Sequence, residues 1–473
     1  MNHVAANISK PGFAAITILV IFSVAIALFT GQYLWMFAAP VLLVFFLGAS
    51  FPELVFYGLI FTIPLSLELQ ISPSLGTDFP DESMMWMLTA ILPFQFLNRK
   101  EEIIKLTHHP LMILLVASLC WTFITIFYSA HPMLSVKFLL AKIWYIVPFC
   151  LGTVLYLRNK LAMMKAAKCL VISMFIAALI IVARQALVGF GFDQVNQMAR
   201  PIFRNHVNYA ALLVCVIPIS FALYKNAEKN RGWWLTVTIF LLTALMLSYS
   251  RGAWLALAAA LITIYVVIKN RLALLIIAIS ILLVSIIAWF ASDNRYLDYR
   301  TDYERTIYHS DFNEHLLATY KMHDLSTAER FYRWIAAFRM SKERLMTGYG
   351  PNSFYYEYRP YAVNAFTTYV SRNDEHSTVH NYYLLLLVEQ GLPGLILFLL
   401  LFFSMMLYAQ RIYHLSSDPW DKGLMLLVVS LLSMIAVLIF LSDLMENDKI
   451  GSIFFICLGL LVAGTKTKSK ELI

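Results

Sequence analysis

Five residues of this chain have side chains suited to ionic chemistry and lie where polar sequence meets apolar sequence. Arg251, in Ser250-Arg251-Gly252-Ala253, stands at the mouth of one apolar run, and His380, in His380-Asn381-Tyr382-Tyr383-Leu384, opens another. Arg330 and Arg333 fall between them, three residues apart, so a helix would put both on one flank. Arg204 belongs to Arg204-Asn205-His206-x-Asn208, just ahead of a third apolar run. Guanidinium groups hold phosphate-type anions through paired, charge-assisted hydrogen bonds. Imidazole takes a proton near neutrality. The chemistry on offer is therefore anion stabilisation and proton transfer. Each residue also has a plainer reading. An interfacial arginine snorkels to water, an arginine in a charged loop faces solvent, and a histidine at a helix head caps or anchors it.

Other chemistries find no support. His309, His315, His323 and His376 are scattered without metal-ligand spacing, and His108 and His109 sit in a short loop of their own. His206 reads equally as a site-lining or a capping residue. The five cysteines, at 120, 150, 169, 215 and 457, all lie inside apolar runs and read as buried small hydrophobes. No phosphate-binding glycine loop or dinucleotide fingerprint occurs. We expect no metal and no cofactor.

The elements that must position these residues are membrane spans. The chain has 473 residues, 60% of them hydrophobic and only 14% charged, with mean hydropathy +0.71. Soluble domains carry about 25% charged residues. Apolar runs long enough to cross a bilayer recur from end to end. We place spans at 12–30, 32–50, 52–67, 82–98, 111–129, 136–157, 166–187, 207–225, 233–250, 253–269, 272–291, 380–410, 423–442 and 450–465. The expected fold is an all-α polytopic membrane protein of 12–14 transmembrane helices, twelve if two early segments are re-entrant. Lys10 ahead of the first run reads as the flank of an uncleaved span.

The net charge of +8 reflects topology rather than nucleic-acid binding. Arg99, Lys100 and Lys105 share one loop, Arg158 and Lys160 another, and Lys225, Lys229 and Arg231 a third. Lys269 with Arg271, Arg411 with Lys422, and Lys466, Lys468 and Lys470 make three more. Basic loops stay in the cytoplasm. Fourteen spans put all six there, with both termini, and put the Lys/Arg-free loop 68–81 outside. The same alternation puts 188–206, Arg251 and 292–379 on the outer face. ATP is absent there, so a synthetic reaction must draw on an already activated substrate. Lys137 and Lys142, near the edge of a span, read either as snorkelling or as added positive charge for that substrate.

The chain divides into an N-terminal transmembrane bundle, 1–291, a loop, 292–379, and C-terminal spans with a basic tail, 380–473. The loop holds 12 of the 25 tyrosines and reads as ordered rather than as a linker. A helix is predicted over 327–346, with Ser326 as its cap and Glu329 completing a capping box. Phe331, Trp334, Ile335 and Phe338 form its apolar stripe. Gly348-Tyr349-Gly350-Pro351 marks its end. Glu389 lies nine residues after His380, roughly 13 Å along a helix, too far to share a substrate hydroxyl. It reads as a structural partner for a break at Gly391-Leu392-Pro393-Gly394.

Three motifs in this order carry a resemblance. Ser250-Arg251-Gly252-Ala253 resembles the first signature of the O-antigen ligase and polymerase superfamily. Arg330-x-x-x-Trp334 with Gly348-x-Gly350 resembles the second. His380-Asn381-x-x-Leu384 with Glu389-x-Gly391-x-x-Gly394 resembles the third. Arg204-Asn205-His206-x-Asn208 resembles a further family feature less sharply.

The resemblance covers about 200–410 and implies a GT-C-like membrane glycosyltransferase of the bacterial inner membrane, with its site facing the periplasm. Such an enzyme moves a glycan from a polyprenyl (undecaprenyl) diphosphate to an acceptor hydroxyl by an inverting, metal-independent route. The acceptor would be lipid A-core for a ligase, or a second carrier-linked glycan for a polymerase. A flippase, the rival of another class, would be expected to show internal repeats and mid-membrane charge. On this reading His380 is the base. Arg251, Arg330, Arg204 and Arg333 bind the donor diphosphate, Gly252 lets a bulky anion approach the backbone, and Asn381, Asn208, Trp334 and Glu389 support the site. The partners are the donor, a glycolipid acceptor and the bilayer, with no nucleic acid.

Overall fold

The computed structural model describes residue 48 and residues 50–72, 75–97, 99–292, 295, 325–367, 371 and 378–464. The first expected span and most of the second lie outside these residues. The remaining twelve each coincide with a helix. These are α1 (Pro52–Thr62, extended by a 3-10 turn to Leu65), α2 (Asp81–Leu97), α4 (Pro110–Ile126) and α5 (Pro132–Ile146). Between α2 and α4 lies the short α3 (Lys100–Thr107). A π turn (Val147–Leu151) carries α5 into α6 (Gly152–Tyr156), and α7 (Lys160–Leu187) follows. After the short α8 (Val195–Ala199) come α9 (His206–Asn226), α10 (Arg231–Met246), α11 (Arg251–Ile268) and α12 (Leu272–Ala291). The outer segment contributes α13 (Leu325–Glu343) and α14 (Phe354–Glu357). The chain ends in α15 (Tyr382–Leu415), α16 (Pro419–Leu441) and α17 (Asp448–Gly464). Among the described residues, seven helices are both long and apolar enough to cross a bilayer, so the protein is an all-α polytopic membrane protein.

The helix ends have local causes. Asn159, Asn205, Asn381 and Asp418 each cap a helix by accepting from a backbone N–H two or three residues on. The π turn contains Pro148, which cannot donate to the helical ladder, and α17 packs closely across it at Gly459.

Position in the bundle follows side-chain character. Every residue from Tyr209 to Ile217 in α9 is buried, as befits a helix apolar on all faces at the centre. Residues 277–289 of α12 are all exposed, so this helix lies at the periphery. Small hydroxyl residues join the helices. Ser220 meets Thr238 at 2.7 Å between α9 and α10, and Thr263 meets Ser433 at 2.8 Å between α11 and α16.

Two features depart from expectation. Residues expected only as an outer loop form an antiparallel hairpin, β1 (Leu67–Ser72) with β2 (Leu75–Phe79). The outer helix begins at Leu325, so Ser326 lies in its first turn and not at its cap. Glu329 instead accepts from the Ser371 hydroxyl at 2.6 Å and from Arg333 Nη2 at 3.3 Å. The capping box is therefore replaced by an ion pair, because Arg333 offers the carboxylate a charged donor on the same helix.

Loop contacts sort into two sets. At one end His414 bonds the Val267 carbonyl at 2.8 Å, Lys160 sits over the Trp420 ring, and Tyr156 donates to Gln95. At the other end Lys449 donates to the Ile63 carbonyl and Ser66, Thr378 donates to Asp443, and Ser135 donates to the Pro351 carbonyl. The basic loops thus meet basic loops, and the loops placed opposite them meet one another.

Candidate active site

The second end of the bundle gathers the residues singled out above. His380 directly precedes Asn381, whose side chain caps α15 by accepting from Leu384 N at 3.1 Å. His380 takes a left-handed backbone, φ +55°, which non-glycine residues seldom adopt. Its neighbours pin it. Val379 is fully buried, and the Thr378 carbonyl accepts from Arg333 at 3.5 Å. The Thr378 hydroxyl donates to Asp443 at 2.5 Å, and Asp443 Oδ1 lies 3.8 Å from His380 Nδ1. Asp443 follows α16 and opens a 3-10 turn (Leu444–Glu446) that leads into α17.

The electrostatics of the imidazole report which charges converge on it. Its pKa is pushed down to about 4, first by desolvation, then by the positive fields of Arg333, Arg330 and Arg204, against the opposing carboxylate of Asp443. About a third of the side chain stays accessible. A neutral imidazole at pH 7 needs no prior deprotonation to accept a proton. Three arginines from two distant stretches thus face one histidine.

Each arginine is held differently. Arg333 is buried and paired with Glu329 on α13. Arg330 is half-buried on the same helix, and Arg204 is exposed just ahead of α9. Arg251 is half-buried as the first residue of α11. Gly252 lies so close to Leu441, the last residue of α16, that an added Cβ would fall 2.8 Å from its Cδ1. The small residue therefore lets the head of α11 abut the chain as it turns toward Asp443, which brings Arg251 to the same end. Trp334 meets Phe440 at 5.8 Å between ring centroids and closes α13 onto α16. Its indole N–H is buried without a hydrogen-bond acceptor in the protein.

The remaining residues are structural. Asn208 gives its backbone N–H to Asn205 at 2.9 Å within the first turn of α9. His206 Nδ1 lies 2.5 Å from Asn196 Oδ1. Glu389 is buried and accepts from Asn352 N at 2.9 Å and Phe354 N at 3.1 Å. The helix breaks beside it at Gly391, φ +68°. There the loop supplies what the helix lacks. Tyr349 N donates to the Val388 carbonyl, Gly350 N to the Glu389 carbonyl, and Leu392 N donates to the Leu345 carbonyl at 2.7 Å. The glycines of the second and third motifs interlock at this point, as backbone freed inside a membrane protein requires.

Residues 236–399 match the family model described as O-antigen ligase. By this match the segment is similar to an O-antigen ligase domain. No curated protein matches the chain. The matched segment holds Arg251, Arg330, Arg333, Trp334, His380 and Glu389, whereas Arg204 and Asp443 lie outside the matched residues. Asp443 was missed in the sequence. Its only signal was a group of three acids, Asp443, Glu446 and Asp448, in a short stretch between two apolar runs.

Proposed function

We propose that this protein transfers a glycan from a polyprenyl diphosphate carrier to an acceptor hydroxyl at the outer face of the bacterial inner membrane, most simply as an O-antigen ligase with lipid A-core as acceptor. The observation that carries the reading is the convergence of Arg204, Arg330 and Arg333 on the single imidazole of His380. Within the outer segment, α13 carries Arg330 and Arg333 to this end of the bundle.

His380, oriented by Asp443, accepts the proton of the acceptor hydroxyl. The hydroxyl oxygen attacks the anomeric carbon as the bond from that carbon to the diphosphate oxygen breaks, with inversion. The electron pair leaves with the polyprenyl diphosphate. Its growing negative charge is stabilised by Arg251 and Arg330, with Arg204 and the paired Arg333 adding field. No metal is needed to balance this step.

The test is transfer from a carrier-linked glycan to lipid A-core by the purified protein in vesicles. We expect His380→Ala to lose at least about 100-fold in turnover, the lower range for removing a general base. Near-normal turnover in both His380→Ala and Arg251→Ala would refute the reading. Elongated carrier-linked glycan in place of labelled lipid A-core would identify a polymerase.

A further inference from the structure

Lys142 lies within α5, ten residues on from its first residue, Pro132, and a lysine in a span either snorkels or adds charge for an anionic substrate. In the structure it does neither. Its Nζ donates to the Tyr382 hydroxyl at 2.8 Å and to Glu446 Oε1 at 2.9 Å. It also stands over the Phe138 and Tyr382 rings, 5.0 and 5.4 Å from their centroids. The pair is secluded, with the lysine side chain 15% exposed and the glutamate 25%.

The partners of Lys142 lead to His380. Tyr382 is the first residue of α15, two residues after the histidine. Glu446 closes the 3-10 turn that Asp443 opens, and Glu446 N donates to the Asp443 carbonyl at 3.1 Å. One short turn therefore grips the head of α15 twice. Asp443 holds Thr378 and faces His380 on one side, and Glu446 with Lys142 holds Tyr382 on the other. Between these grips His380 keeps a left-handed backbone, a strained conformation that persists only where the surroundings over-determine it.

We propose that the Lys142–Glu446 pair is a positioning device for His380: it fixes Tyr382 and the turn at Asp443, and so holds the imidazole at the angle needed to meet the acceptor hydroxyl. The inference rests on the reading of His380 as the proton acceptor. Neither member of the pair touches substrate. The charged groups facing His380 are Asp443 from the turn after α16, Arg333 and Arg330 from α13, and Arg204 from the segment before α9. The groups facing the pair are Tyr382 and, further along α15, the buried carboxyl of Glu389. Removing the lysine leaves Glu446 uncompensated in this field, which favours the protonated imidazole.

The test uses the full-length protein reconstituted with carrier-linked donor and lipid acceptor. For Lys142→Met we expect kcat to fall about 10-fold or more, as loss of reactive alignment does, with the donor KM within about two-fold of the native value. The acid limb of the kcat/KM profile should move to higher pH. Glu446→Gln should show the same fall in kcat, with the acid limb displaced the other way because Lys142 is then left uncompensated, and the double variant should be no worse in kcat than either single one, because the two residues act as a unit. Lys142→Arg, which keeps the pairing, should recover most of kcat. If Lys142→Met does not accumulate as folded protein, Glu446→Gln carries the test.

A folded variant with native kcat and an unmoved pH profile would overturn the proposal. So would a raised donor KM at constant kcat, which would make Lys142 a donor-binding cation. His380→Ala, measured alongside, separates the two failures. If it turns over normally, the reading of the base fails. If it is inactive while Lys142→Met is normal, only the positioning role fails.

Discussion

At the scale of single residues, the site works by setting charges around one imidazole. Burial and three guanidinium groups favour neutral His380, and Asp443 opposes them. Because the ring's pKa lies below its ordinary value of about 6.5, the base form is already present throughout the neutral range. It is lost only as pH falls toward about 4. We therefore expect the acid limb of kcat/KM to lie well below pH 6, measured on the reconstituted enzyme. Asp443→Asn should push that limb lower still, since it removes the only carboxylate among the groups that dominate the ring's field. A limb at or above the ordinary histidine value would contradict this. The sequence announced His380 and the arginines by residue type at the rims of apolar runs. It could not announce Asp443, because an acid in a short turn between spans ordinarily faces water. Only the fold aims it at a residue more than 60 positions earlier in the chain. Nor could it show that Arg333 is committed to Glu329, because i,i+4 spacing permits such a pair without requiring it.

At the scale of elements, the interlock between the outer segment and broken α15 carries the site's rigidity. Gly348 and Gly391 both have positive φ, and at each an added Cβ would lie 2.4 Å from backbone of the opposing strand of chain. Gly348→Ala and Gly391→Ala should each destabilise by about 2 kcal/mol or more, from strain and overpacking together. The check is thermal unfolding in detergent, and a melting temperature unchanged in both would show that the contact is not needed. Glu389→Ala should destabilise similarly, because it leaves the Asn352 and Phe354 N–H groups without their acceptor. This part was half legible. Gly391-Leu392-Pro393-Gly394 announced a break and Glu389 a structural partner for it. What filled the break was not readable, because the filling backbone comes from a loop some forty residues earlier. Helix starts were placed within two residues at Asn205 and Asn381, but six residues late after Asn159 and four late after Asp418, where lysine or aspartate in the first turn delays the apolar run. The start of α13 was misread because Glu329 had a better partner than a cap.

At the scale of the whole molecule, a single polarity organises everything. The Lys/Arg bias sorted the loops, and the contacts of the described residues keep the two sorts at opposite ends. We propose that the end bearing His380 faces the periplasm. A cysteine replacing Asp193 should then react with a membrane-impermeant thiol reagent applied to intact spheroplasts, and one replacing Lys422 should react only after the membrane is opened. The reverse pattern would invert the topology and remove the proposed donor. The hairpin was legible but went unread: Leu67, Leu69 and Ile71 alternate with Glu68, Gln70 and Ser72, the two-residue period of a strand.

The most direct measurement is binding of a polyprenyl diphosphate donor compared with its turnover, in the native protein, His380→Ala and the Arg251→Ala/Arg330→Ala double variant. The account predicts that His380→Ala binds donor with near-native affinity but does not transfer it. The double arginine variant should lose about 100-fold or more in affinity, from two charge-assisted contacts of about 1.5–3 kcal/mol each. Native donor affinity in the double variant, together with active transfer by His380→Ala, would contradict it.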